Sequence, residues 1–103
     1  MTDKQFNDSF TAAGGWFILT QYETIANWQG STTELTDKLF LLGFDAKRTG
    51  TNTRVSSVLR LIRENRIQEA IEKVRDSRRI NQQHPEAYAM ANALLVKYFQ
   101  NQH

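Results

Sequence analysis

Cysteine is absent from the 103 residues, proline occurs once and histidine twice. Without cysteine there are no disulfides, thiolate nucleophiles, iron-sulfur ligands or cysteine-based zinc sites, and a reducing compartment is allowed without being required. No apolar run approaches the roughly 20 residues that span a bilayer, and the segment Met1 to Asp8 lacks a basic stretch followed by an apolar one. Cytoplasmic residence is therefore the expectation. The two histidines, His84 beside Pro85 and His103 at the end, lack metal-ligand spacing, and no Gly-x-Ser-x-Gly elbow is present. His84 reads as a capping or surface residue and His103 as frayed. Asp45 stands close in sequence to Lys47 and Arg48 and reads as a loop salt bridge. No catalytic residue, metal or cofactor is expected, and the chain is expected to act by binding.

What is present fits one small domain over residues 1–103: 40% hydrophobic residues, 11% aromatic and 23% charged. That apolar content argues against disorder, and a chain of this length builds one core. Apolar spacing follows a helical period rather than alternation, so the fold class is all-α, a compact bundle of five to six helices. The first helix is predicted over about Asp3 to Ala13, with Phe6 and Phe10 four apart, and Gly14-Gly15 ends it. The second runs from about Trp16 to Trp28 with Ile18, Leu19, Tyr22, Ile25 and Ala26 as its stripe, and Gly30 as a left-handed cap. Ser31 and Glu34 have the capping-box spacing, in which hydroxyl and carboxylate satisfy free backbone N–H groups. The third helix then carries Leu35, Leu39 and Leu42 and stops at Gly43.

Phe44 to Asn52 has no helical period and reads as a loop. Val55, Val58, Leu59 and Ile62 give the cleanest stripe in the chain, the fourth helix. Ile67, Ala70, Ile71 and Val74 give the fifth, after a break near Asn65-Arg66. Pro85 and Glu86 open a last helix bearing Tyr88, Ala91, Leu95 and Tyr98.

The small net charge of +2 conceals an asymmetry. Residues 1–45 hold two basic and six acidic side chains, a balance of −4, whereas residues 46–80 hold ten basic and four acidic, a balance of +6. Eight of those ten are arginines, whose planar fork suits phosphate and carboxylate. A basic surface of Lys47, Arg48, Arg54, Arg60, Arg63, Arg75 and Arg79 facing nucleic acid, or a complex that handles it, is one reading. The other is a solvated face, because Glu69 with Lys73, Glu72 with Arg75, and Asp76 with Arg79 are spaced for intrahelical ion pairs. The sharpest local candidate is Arg48-Thr49-Gly50-Thr51-Asn52-Thr53-Arg54 ahead of the fourth helix. Free N–H groups at a helix start, with Gly50, Thr51 and two arginines, suit a phosphate or carboxylate. Alternatively, Thr51 or Asn52 caps the helix and Gly50 makes the turn.

The segment Ile25-Ala26-Asn27-Trp28-Gln29-Gly30-Ser31-Thr32-Thr33-Glu34-Leu35 resembles the turn of a helix-turn-helix motif, which implies DNA binding. Ser31 stands where that family has an apolar residue, and Glu34 and Asp37 face a single Lys38 on the following helix. Asn65-Arg66-Ile67-Gln68-Glu69-Ala70-Ile71 with His84-Pro85-Glu86-Ala87-Tyr88 resembles parts of a tetratricopeptide repeat, which implies peptide binding, over less than two repeats. The leading expectation is a non-catalytic binder of nucleic acid. The alternative is a protein-interaction or homodimerisation module, in which aromatic and leucine side chains such as Trp16, Phe40 and Leu41 form the contact.

Overall fold

A computed structural model describes residues 1–100, so His103 lies outside the described residues. Seven helices make up the fold, with no strand among the described residues: α1 (Asp3–Ala13), α2 (Gly15–Ala26), α3 (Thr32–Phe40), α4 (Arg48–Arg63), α5 (Ile67–Arg75), α6 (Arg78–Gln83) and α7 (Ala87–Phe99). The all-α reading holds and the helix count rises from five or six to seven. The additional helix is α6, too short to show a period. Ser77 caps it by accepting from the Ile80 N–H, and Ile80 is its one buried residue. None of the helices is long and apolar enough to cross a membrane.

α2 lies at the centre and packs against α1, α4, α5 and α7. Its composition explains the position, since Phe17, Ile18, Leu19, Tyr22 and Ile25 are all buried. α1 runs antiparallel along α4: the Ala13 carbonyl accepts from Arg54, and the Met1 amino group lies 3.8 Å from Glu64. α3 also packs on α4, through Thr36 with Asn52 and Asp37 with Arg48. α5 and α7 pair on the side of α2. Leu35, Leu39, Val55, Val58, Leu61, Ile71 and Val74 complete a core shared by all seven helices.

Helix ends follow local chemistry. α1 opens on a full capping box, Thr2 accepting from the Gln5 N–H at 3.1 Å and the Gln5 side chain from the Thr2 N–H at 2.9 Å. At α3, Ser31 accepts from the Glu34 N–H, but Glu34 takes the Ser31 hydroxyl in return rather than its backbone N–H. Asn65 has φ 60 and makes the break expected there, as does Gly43 with φ 82 beyond α3. Gly30 departs from expectation, because only Gly14 and Gly43 among the glycines have positive φ. Instead the Trp28 indole N–H closes that turn on the Ser31 carbonyl at 2.9 Å.

The largest correction concerns Phe44 to Asn52. α4 begins at Arg48, so the second half of the expected loop is its first turn and more. The core face of those early residues is supplied by buried Thr51 rather than by an aliphatic side chain, which hides the helical period.

Candidate functional site

The expected basic surface divides by what each cation touches. Arg48 pairs with Asp37 and donates to the Thr33 carbonyl at 3.1 Å. Arg54 donates from Nε to both Asp45 oxygens at 3.1 and 3.0 Å, and from Nη1 to the Ala13 carbonyl at 2.7 Å. Thr51, fully buried, donates its hydroxyl to Asp45 Oδ2 at 3.0 Å. A Cβ on Gly50 would lie 3.0 Å from the Asp45 carboxyl carbon. The Asp45 carboxylate therefore sits against the first turn of α4, held by Thr51 and Arg54, where a phosphate was anticipated. The predicted loop salt bridge exists, with Arg54 as partner rather than Lys47 or Arg48. Arg75 forms a two-pronged pair with its neighbour Asp76 at 2.9 and 3.1 Å, and this contact holds the Asp76 carboxyl below its usual range.

Lys47, Arg60, Arg63, Arg78 and Arg79 make no ion pair among the described residues. They belong to three places: Lys47 at the start of α4, Arg60 and Arg63 at its end, Arg78 and Arg79 on α6. None of the three intrahelical pairs expected around α5 forms. Glu69 pairs with Arg66, Arg75 with Asp76, and Lys73 reaches Asn7 at 3.0 Å while lying over the Phe10 ring. α4 nonetheless contains no acidic residue over its length. Asn52, Ser56 and Arg60 recur four apart on it, with Arg63 one turn beyond Arg60.

His84 follows α6 and stacks on Trp16, ring centroids 3.7 Å apart and planes 4° from parallel. It acts as packing between α6 and α2. Among the described residues no group of three His, Asp or Glu is placed to hold a metal ion. The clearest polar cluster lies between α2 and α7, where Glu23 Oε2 accepts from Lys97 at 2.7 Å and from the Tyr98 hydroxyl at 2.6 Å. The Lys97 contact, then the Tyr98 one, hold the Glu23 carboxyl below its ordinary range, and Glu23 raises Lys97 in return. Burial, then the neighbouring Tyr98 and Glu23, raise the Tyr22 hydroxyl.

Sequence reasoning missed the outer face of α7. The expected stripe was Tyr88, Ala91, Leu95 and Tyr98, but the buried one is Ala87, Ala91, Leu94 and Phe99. Tyr88 is 56% exposed and Val96 61%. Of the 13 residues of α7, Lys97 alone is charged, so an apolar period exists on both sides and neither is singled out. Between α5 and α7 runs a groove of about 330 Å³ whose walls include Gln68, Glu72 and Arg75 on one side and Asn92, Leu95 and Val96 on the other. A second apolar projection follows α3, where Leu41 is 85% exposed and Leu42 54%, while Phe40 and Trp16 are half-buried. No family model, no curated protein and no solved structure matches the chain.

Proposed function

We propose that the protein acts by binding rather than by catalysis, and that its contact surface is the outer face of α7, offered to a protein partner. The observation that carries this reading is the exposure of Tyr88 and Val96 on a surface helix with one charged residue. A surface helix of a self-sufficient domain turns charged and polar residues outward. Covering a large apolar side chain contributes about 1.5 to 3 kcal/mol each, so a partner over this face gains affinity from residues that contribute little to the isolated fold. Two hydrogen-bonded carboxylates are also occupied structurally, Glu23 by Lys97 and Tyr98 and Asp45 by Arg54 and Thr51. A chain without cysteine suits the cytoplasm. The test is a photo-crosslinking side chain introduced at Val96 and, separately, at Arg63. Adducts from Val96 alone support the α7 face, and adducts from Arg63 alone overturn it.

A second reading, contact with nucleic acid, is favoured by the acid-free α4 and by the unpaired Arg60 and Arg63. Phosphate attraction would then supply most of the affinity. An amide NMR titration with a mixed-sequence DNA duplex, then with single-stranded RNA, distinguishes it. Shifts along α4 that fade as salt rises support this reading, and their absence at low salt removes it.

A further inference from the structure

We propose that the pocket between the α1–α2 junction and α6 binds a small aromatic monocarboxylate, held by Arg54 and Arg79. The pocket has a volume of about 250 Å³, and its walls include the Gly14-Gly15 backbone, Trp16, Phe44, Arg54 and Arg79. Among the described residues, no acidic side chain lines it. No residue of α7 lines it either, so the site is separate from the partner face proposed above.

Arg54 is a fixed cation with a donor left over. Its Nε donates to Asp45 and its Nη1 to the Ala13 carbonyl, while its guanidinium carbon lies 5.7 and 5.8 Å from the ring centres of Phe17 and Phe44. Nη2 donates to no described residue. The side chain is thus already oriented and loses little further freedom when Nη2 takes a ligand oxygen. Arg79 supplies the charge. It is exposed and makes no ion pair among the described residues. Because Asp45 already balances Arg54, one positive charge at the pocket is left uncompensated. That matches a monocarboxylate, whereas a doubly charged phosphate would bring one negative charge too many.

The remaining walls select the body of the ligand. Trp16 and Phe44 are half-buried, each with part of its surface open, and aromatic walls favour a flat apolar body. α2 also begins at this pocket without a side-chain cap, so its free first-turn N–H groups add positive potential to that of the two arginines.

The experiment is an NMR titration of the full chain, following the backbone amides and the Arg54 Nε–H. Sodium benzoate is added from about 0.1 to about 30 mM, a range suited to a ligand of so few atoms, with ionic strength held constant by sodium chloride. Saturable shifts at Gly14 to Phe17 and at Arg54 are expected. Benzamide, the neutral counterpart, is expected to bind at least about 10-fold more weakly, and so is acetate, which lacks the ring. Inorganic phosphate is expected to bind more weakly than benzoate. Arg79→Gln, at an exposed position without an ion pair, is expected to keep the wild-type spectrum and to weaken benzoate binding by about 5- to 10-fold. The wild-type comparisons stand without this variant.

Benzoate shifts that are absent, fail to saturate or scatter beyond the pocket overturn the site. Equal binding of benzamide overturns the anion, equal binding of acetate the aromatic body, and tighter binding of inorganic phosphate the single charge. A folded Arg79→Gln chain that binds benzoate as the wild type does overturns the part given to Arg79. None of these outcomes bears on the α7 face, which the crosslinking at Val96 decides.

Discussion

Arg54 joins three segments through one guanidinium. Its Nε holds both oxygens of Asp45 in the α3–α4 connection, and its Nη1 satisfies the Ala13 carbonyl at the end of α1. The pair is largely shielded from water, so removing one partner leaves the other charge poorly solvated. Arg54→Ala is expected to lower stability by about 2 to 4 kcal/mol, read as a fall in the urea midpoint. A double-mutant cycle with Asp45→Ala is expected to show strong coupling, and additive losses would contradict the pairing. Glu23 is the residue with a pH signature. Its folded carboxyl titrates below the unfolded one, so its contribution is present above the ordinary carboxylate range and is lost as pH falls through the folded value. Lys97 is raised, so its share is complete below the ordinary lysine range and lost as pH rises through its folded value. Thermal melts of wild type and Glu23→Gln are thus expected to differ at neutral pH and to converge toward about pH 2. A difference that persists in strong acid would remove the pairing as its cause.

Elements differ in how openly their sequence declares them. α5 was legible in full: Ile67, Ala70, Ile71 and Val74 are the buried residues expected of it. α4 was legible in its middle only. Val55 and Val58 are buried as predicted, but Leu61 takes the deep position while Leu59 and Ile62 are half-buried. Its first turns went unread because the residue facing the core there is Thr51. The capping box at Thr2 and Gln5 has its signal in the Thr-x-x-Gln spacing. Thr2→Ala is expected to cost about 1 kcal/mol, seen as a lowered melting temperature. The α1–α2 junction is tighter. A Cβ on Gly15 would run into Ile80 Cδ1 and stand 3.2 Å from Val74 Cγ2. Gly15→Ala is expected to lower stability by about 1 kcal/mol, because the Ile80 Cδ1 end must turn aside and Val74 must give slightly, and an unchanged urea midpoint would show that the contact yields freely.

At the scale of the whole molecule, the division of charge between the two halves of the chain becomes a division of roles. Acids of the first half, Asp3, Asp37 and Asp45, pair with arginines of the second, Arg66, Arg48 and Arg54. Much of the sequence asymmetry is therefore cancelled by contacts between distant segments, and the arginines without an ion pair among the described residues are dispersed over the end of α4 and α6. For the nucleic-acid reading this makes a definite expectation. Replacing Arg60 and Arg63 together by Gln is expected to leave the melting temperature within about 2 °C, since neither makes an ion pair among the described residues, Arg63 is exposed and Gln keeps most of the stem of half-buried Arg60. The same change is expected to reduce the salt slope of any DNA affinity by about 1 to 2, measured by fluorescence anisotropy. If affinity persists with the same slope, contact lies away from α4.

Local order was determined by the sequence alone. The helical period, the Ser31 cap, the break at Asn65 and the stop near Gly43 each depend on residues within one or two turns, and each is present. The distant partners of Arg54, Arg48 and Arg66 were decided by tertiary structure, because Asp45, Asp37 and Asp3 lie 9, 11 and 63 positions away from them in the chain. Nothing in local spacing ranks a distant carboxylate above a neighbouring one. Tertiary structure also chose which side of α7 faces inward. With Tyr88, Leu95 and Val96 on one side and Ala87, Ala91 and Leu94 on the other, apolar residues stand on both sides of the helix, and packing against α5 and α2 is what buries the alanine side.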